Sequence, residues 1–337
     1  MKKETIMVKE YPKISVITPS YNQADFLEET ILSVLNQNYP NLEYIIIDGG
    51  STDRSVEIIK KYEKQLSYWV SEKDNGQSHA INKGLKHATG DIICWLCSDD
   101  LHVSDTLHTV AELFQLNPEI ALLHGTSILF GNRRKEQITG ADFKDLPLRY
   151  YAIIPFPQPS SFFKRKVIEE TGMLDESLHF GMDYDLLVRI ALCYPILPVN
   201  KVLSRYRLHS SSKTVSQFKN FAGDWIKVFS RFLRSVDGTE KHILFLKENG
   251  FYHEDSTKYK HLKEFNETDL RRIHSHFLFN QLVIYYEVYD RKMIHKILVL
   301  IKETDPVFYK EYNLRKVEMR KNLFPPVIVH FVRTFIR

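Results

Sequence analysis

Three short apolar runs dominate the first hundred residues: ISVIT at 14–18, YIII at 44–47 and IICWL at 92–96. Each is rich in β-branched residues and bounded by turn formers, which predicts strands of a parallel sheet covered on both faces. Between them the apolar positions fall at helical spacing. Leu27, Ile31, Val34 and Leu35 share one face of a helix over 25–35, stopped by NYPN at 38–41. Val56 and Ile59 do the same in STDRSVEIIKKYE, which opens on the cap-type residues Ser51, Thr52 and Asp53. A short strand is expected around 68–70. A third helix over 77–87 carries Ala80, Ile81 and Leu85, and Gly90 breaks the pattern. Alternating strand and helix in this order builds a doubly wound sheet.

The pattern continues with a capped helix from Ser104 to Asn117, a strand over 120–130 and a loop or hairpin over 131–142. A helix from about Lys166 should end at Gly172, a natural C-terminal cap. Another starts near Asp183 and buries Leu186, Leu187 and Ile190, with Asp185 and Arg189 as a surface i, i+4 pair. Beyond Lys213 strand signals fade and helical patterns run to the end. The chain therefore divides into an α/β domain over 1–212 and a mainly helical extension over 213–337. The tail after 314, LRKVEMRKNLFPPVIVHFVRTFIR, sets basic residues beside Phe, Val and Ile. Such a segment suits either an anionic membrane surface or a groove of its own domain.

Composition changes this picture little. The 337 residues are 43% hydrophobic and 26% charged, ordinary for a globular protein. A net charge of +4, with no basic block in the first two thirds, gives no nucleic-acid signature. Cys94, Cys97 and Cys193 form neither an even disulfide set nor a zinc pattern, and the first two are assigned to a buried strand. The positively charged N-terminus has no apolar stretch behind it, so no signal peptide is expected. No apolar run approaches the roughly 20 residues of a spanning helix. A cytoplasmic protein is expected, with contact to the inner membrane face through 314–337 as its one route to the bilayer.

Ligands of such sheets bind outside the carboxyl ends of the strands, so residues 19–22, 48–53 and 98–100 should share one rim. Carboxylates in these loops suit a metal ion and a phosphate ester. PSYNQ stands after the first strand where a dinucleotide enzyme would carry GxGxxG, which argues against a dehydrogenase.

These ordered motifs, ISVITPSYNQADFLEETILSVLNQNYPNLEYIIIDGGSTDRSVEII followed by DNGQSHAINKGLKHATGDIICWLCSDD, resemble the family 2 glycosyltransferases. The resemblance covers about 13–212 and implies the GT-A fold, a Rossmann-like mixed sheet flanked by helices. It further implies inverting sugar transfer from a nucleoside-diphosphate sugar, a UDP-sugar first, to a glycan or lipid-linked acceptor in surface polysaccharide synthesis. In the family's terms Ser98, Asp99 and Asp100 resemble the DxD-type motif. Asp99, Asp100 and His209 would hold a divalent cation, Mn²⁺ or Mg²⁺, with imidazole favouring manganese. Cys97 departs from the pattern, standing where many members carry the first acid. Pro19, Ser20, Tyr21, Asp48, Asp74, Lys83, Ser98 and Asp99 match the nucleotide-sugar pocket, and Gln158, Pro159 and Ser160 the sugar or acceptor side. Asp183 in MDYD matches the catalytic base, with Met182 where Glu is frequent. The two departures motivate an alternative, an inactive scaffold subunit that binds the donor without transferring it.

Overall fold

The structure is a computed structural model that describes residues 11–131, 135–140 and 144–320. Its first half alternates β1 (Ile14–Ser20), α1 (Ala24–Leu35), β2 (Leu42–Asp48), α2 (Ser55–Tyr62), β3 (Tyr68–Ser71), α3 (Gln77–His87) and β4 (Ile92–Trp95). β3, β2, β1 and β4 lie side by side and parallel, with Ser20 opposite Asp48 and Asp48 opposite Ser71. Their carboxyl ends therefore open on one rim. Ile14 and Val16 of β1, Ile46 of β2 and Ile92 of β4 pack in one apolar layer with Leu27, Ile31 and Val34 of α1. The alternate residues Ile17, Ile45, Ile47, Ile93 and Trp95 face a second layer with Ala80, Ile81 and Leu85 of α3. A strand that serves two cores keeps no polar face, hence the unbroken apolar runs.

Next come β5 (Leu101–His102), α4 (Thr106–Leu116), β6 (Leu122–Phe130), β7 (Gln137–Thr139), α5 (Leu146–Arg149), β8 (Ser161–Lys164), α6 (Arg165–Thr171), α7 (Met182–Cys193) and β9 (Ile196–Arg207). β8 runs antiparallel to β4 and to β6, while β9 is parallel to β6, which makes the sheet mixed. The described part of 131–142 belongs to a hairpin, since β7 pairs antiparallel with β6. α4 begins at Thr106 and not at Ser104, because Asp105 ahead of it takes φ +60° and offers no side-chain cap. Gly172, at φ +90°, ends α6 in a conformation that other residues avoid.

The helical extension comprises α8 (Lys213–Ser216), α9 (Phe221–Ser235), α10 (Glu240–Asn249), α11 (Glu267–Glu287), α12 (Arg291–Thr304), α13 (Pro306–Glu311) and α14 (Leu314–Arg320). Phe229 and Phe232 of α9, Phe277 of α11 and Ile297 of α12 join the same apolar layer as Ile17 and Trp95. The tail beyond 320 lies outside the described residues, and among those described no helix is long and apolar enough to cross a membrane.

Asp185 departs from its expected place on the surface, being 2% exposed. It accepts hydrogen bonds from Arg189 Nε at 2.9 Å, Arg231 Nη1 at 3.2 Å and Tyr259 Oη at 2.5 Å. Arg231 also donates to Asp175 at 2.8 Å and to Asp255 at 2.6 Å. A guanidinium from α9 thus turns an intrahelical pair into an interior charge cluster.

Candidate functional site

Asp48 ends β2 with no exposed surface. Gly50 N, Ser51 N and Ser71 Oγ donate to its Oδ2 at 3.1, 2.9 and 2.7 Å, while Ser51 Oγ donates to Oδ1 at 2.5 Å. The carboxylate is thereby locked in direction, with acceptor capacity remaining on Oδ1. Ser20, opposite it on β1, is buried with an unpartnered hydroxyl, Pro19 is buried behind it and Tyr21 stands 58% exposed. Asp74 accepts from Gly76 N at 2.8 Å and packs so near Gly49 that a Cβ there would lie 2.6 Å from its Oδ2. Lys83 pairs with Glu72 at 2.8 Å. Asp53 is used as a cap of two helices, accepting from Ser55 N at 2.9 Å and from Ala24 N at 3.0 Å.

The loop after β4 carries the acidic cluster. β4 ends at Trp95, which leaves Cys97 outside the strand to which its spacing assigned it. One ligand atom each from Cys97, Asp99 and Asp100 lies within 4.8 Å of the others. Arg207, at the end of β9, fixes this loop: its backbone N donates to Asp100 Oδ1 at 2.9 Å and its Nε to the Asp99 carbonyl at 2.8 Å. His209 Nε2 sits 2.9 Å from Asp99 Oδ2, its Nδ1 meets Ser211 Oγ at 2.8 Å, and its ring lies against Phe26. Burial and the neighbouring Asp99 charge hold the Asp100 carboxyl well above the usual range. Ser98 is buried between the two ends of this turn. The Asp99 and Asp100 carboxylates are oxygen donors that suit a divalent cation, with the His209 imidazole beside Asp99.

Asp183 occupies the first turn of α7. Its Oδ1 accepts from Tyr184 N at 2.9 Å, and burial outweighs that bond to push the carboxyl up to about 6. Lys213 Nζ approaches from the start of α8, donating to Gln77 Oε1 at 3.0 Å and to the His179 carbonyl at 3.3 Å. Gln77 in turn donates through Nε2 to Cys97 Sγ at 3.2 Å. This chain of contacts joins the acidic loop to the entry of α7. The charges of Asp100, Asp99 and Asp183 all bear on the half-buried Cys97 thiol, which desolvation raises well above its ordinary value.

On the remaining side, Gln158 Nε2 donates to Trp95 O at 3.0 Å. Pro159 and Ser160 are buried, and the Ser160 hydroxyl donates to Thr126 O at 2.8 Å beside Ser204 Oγ. A cleft of about 480 Å³ opens beside the rim, lined by Asn22, Gln23, Phe26, Asp53, Arg54 and Ser211 among others; neither Asp99 nor Asp183 lines it. Sequence reasoning overlooks Arg207, Lys213 and Gln77. Arg207 could have been found, since it stands two residues before His209 in YRLH, whereas the other two have no local signal.

Comparison with known proteins fits this geometry. The profile of glycosyl transferase family 2 matches residues 15–172. An uncharacterized glycosyltransferase of Mycobacterium tuberculosis is 32% identical over 200 residues, covering 55% of this chain and 71% of the relative. One of Rickettsia typhi is 26% identical over 268 residues, covering 71% and 81%. Among solved structures, S. aureus TarS in complex with UDP-GlcNAc superposes with a TM-score of 0.59 at 16% identity, over 96% of this chain and 88% of that one. The mannosyltransferase PcManGT from Pyrobaculum calidifontis, in complex with GDP-Man and Mn²⁺, gives 0.57 at 17% identity, over 97% and 86%. These two likenesses carry the fold, the GT-A arrangement of a mixed sheet with flanking helices.

Proposed function

Because the chain belongs to glycosyl transferase family 2 and is a glycosyltransferase, we propose that it is a metal-assisted, inverting enzyme. It moves a sugar from a nucleoside-diphosphate sugar, a UDP-sugar first, to a glycan or lipid-linked acceptor in surface polysaccharide synthesis. One observation carries this reading: the acidic loop of Cys97, Asp99 and Asp100, with His209 beside Asp99, is linked through Gln77 and Lys213 to the entry of α7, where burial pushes the Asp183 carboxyl up to about 6.

In this proposal 1–212 forms the catalytic domain. The base lies among Pro19, Ser20, Tyr21 and Asp74, beside the loop that the buried Asp48 carboxylate fixes through Gly50, Ser51 and Ser71. Lys83 would exchange Glu72 for the diphosphate, and Ser98 and Asp99 would border it. Asp99, Asp100 and His209 would hold the divalent cation, which would offset the charge that develops on the departing diphosphate. The Asp183 carboxylate takes the proton of an acceptor hydroxyl while that oxygen bonds to the anomeric carbon. The bond from that carbon to the phosphate oxygen breaks with its electron pair, and the nucleoside diphosphate leaves from the opposite face. The turn at Gln158, Pro159 and Ser160 backs the sugar or acceptor. Contact of 314–337 with an anionic membrane would bring a lipid-linked acceptor to the rim.

The test is release of nucleoside diphosphate from a panel of UDP-, GDP- and dTDP-sugars. Wild type should turn over at least one with Mn²⁺ present. Binding without any turnover, by wild type and Asp183→Asn alike, would instead describe a scaffold.

A further inference from the structure

We infer that α9 of the helical extension positions the catalytic base, gripping the chain just ahead of α7 through Asp224 and Trp225. The inference rests on Asp183 being that base.

Phe180 is the residue held. Its backbone N donates to Asp224 Oδ2 at 2.7 Å, and its carbonyl accepts from Trp225 Nε1 at 3.1 Å. Both groups lie before the first residue of α7, so the helix itself offers them no partner. Gly181 follows, and a Cβ on it would stand 2.9 Å from Asp224 Cβ. The first turn of α9 and the entry of α7 therefore touch with no room for a side chain between them. Asp183 comes two residues later.

The grip continues on the far side of the base. The Tyr184 ring lies 5.2 Å from Trp225, and its hydroxyl donates to Tyr151 O at 2.7 Å. Asp185 accepts from Arg231 of the same α9. Residues 180, 181, 184 and 185 are thus each in contact with α9. Among the described residues the Asp183 side chain accepts only the local bond from Tyr184 N, on Oδ1, which leaves Oδ2 for an acceptor hydroxyl. Rigid neighbours around a free reacting group are what a displacement reaction needs, since a 1 Å misplacement can cost about 10²-fold in rate. Asp224, Trp225 and Arg231 lie beyond residue 172, where the family profile ends. The extension is in this account part of the catalytic apparatus, although it touches no reacting atom.

The experiment uses the full chain, with Mn²⁺ and whichever donor of the sugar-nucleotide panel wild type turns over fastest. Trp225→Phe keeps the ring packing and removes the donor to Phe180 O. Asp224→Ala removes the acceptor for Phe180 N, and Asp224→Asn restores an acceptor oxygen without the charge. Trp225→Phe and Asp224→Ala should lower kcat about 10- to 10²-fold, with the donor KM within twofold and the UDP-induced thermal shift intact. Asp224→Asn should recover most of the rate. Should Asp224→Ala fail to fold, Trp225→Phe and Asp224→Asn decide alone. Wild-type kcat in Trp225→Phe, or a loss that falls on KM and UDP binding, overturns the inference. Turnover by Asp183→Asn, in contrast, overturns the assignment of the base, and absence of turnover in wild type removes both.

Discussion

The molecule gathers acidic side chains in two places, and they are built in opposite ways. Asp175, Asp185 and Asp255 surround the Arg231 guanidinium, which is 6% exposed. Against the opposing effect of burial, hydrogen bonds from Ser177 and Thr257, and then the Arg231 guanidinium, hold the Asp175 and Asp255 carboxyls below their usual range. Asp99 and Asp100 lie on the strand rim, and among the described residues no lysine or arginine side chain pairs with either. Arg207 beside them directs its guanidinium to the Asp99 carbonyl, to Glu29 and onto Phe26 and Phe130. One cluster carries its own cation; the other leaves negative charge to be met from outside. Acid clusters thus differ in kind: a balanced one fixes structure, and an unbalanced one on a rim is suited to bind. The same contrast separates two residues of one helix, Asp185 with its three side-chain partners and Asp183, whose carboxyl accepts only the local Tyr184 N–H among the described residues.

The largest effect should come from the unbalanced side. Asp183→Asn should lower turnover about 10²- to 10⁴-fold, read as nucleoside diphosphate release, while leaving donor binding in place. Equal turnover would break the contrast at its centre. On the balanced side, Arg231→Met removes the cation shared by the buried Asp185 and the partly exposed Asp175 and Asp255 and should cost about 3 kcal/mol, seen as a lower urea midpoint. A variant as stable as wild type would show that this cluster is not structural.

The pH dependence separates the two again. Asp183 acts as a base only when ionised, so kcat/KM should fall as pH drops through about 6. The Arg231 cluster moves the other way along the scale. Its carboxyls are depressed in the folded state, so they contribute stability that is present above their unfolded values and lost only as pH falls below about 4. An acid limb of activity near pH 4 would remove the elevated base. The smallest effect belongs to Lys83→Met, whose partner Glu72 is 56% exposed. Stability should change by less than about 1 kcal/mol, and UDP affinity should weaken.

Much of the sheet is legible in the sequence because β1, β2 and β4 each serve two apolar layers and so read as unbroken runs. The α3 bounds, Gln77–His87, coincide with the expected 77–87 for a similar reason: a clean apolar stripe ends before a turn. β8 is hidden, since four residues after a proline-rich entry carry no period. Asp185 is misplaced by sequence reasoning because its partners lie 46 and 74 residues away, in Arg231 and Tyr259. No local pattern reports a charge from a distant helix. The acidic loop and His209 are named by motif, but their meeting across 110 residues belongs to the fold. Lys213, Gln77 and the hold of α9 on Phe180 are tertiary in the same sense.

The most direct test of the central claim is a thermal-shift titration of the full chain with UDP, GDP, dTDP, CDP and ADP, each with and without Mn²⁺, repeated on Asp99→Asn. Binding to the native state alone raises the unfolding midpoint. The account predicts that one nucleotide raises it only when Mn²⁺ is present, and that Asp99→Asn loses that rise. A shift independent of the metal and of Asp99, or no shift with any nucleotide, would contradict it.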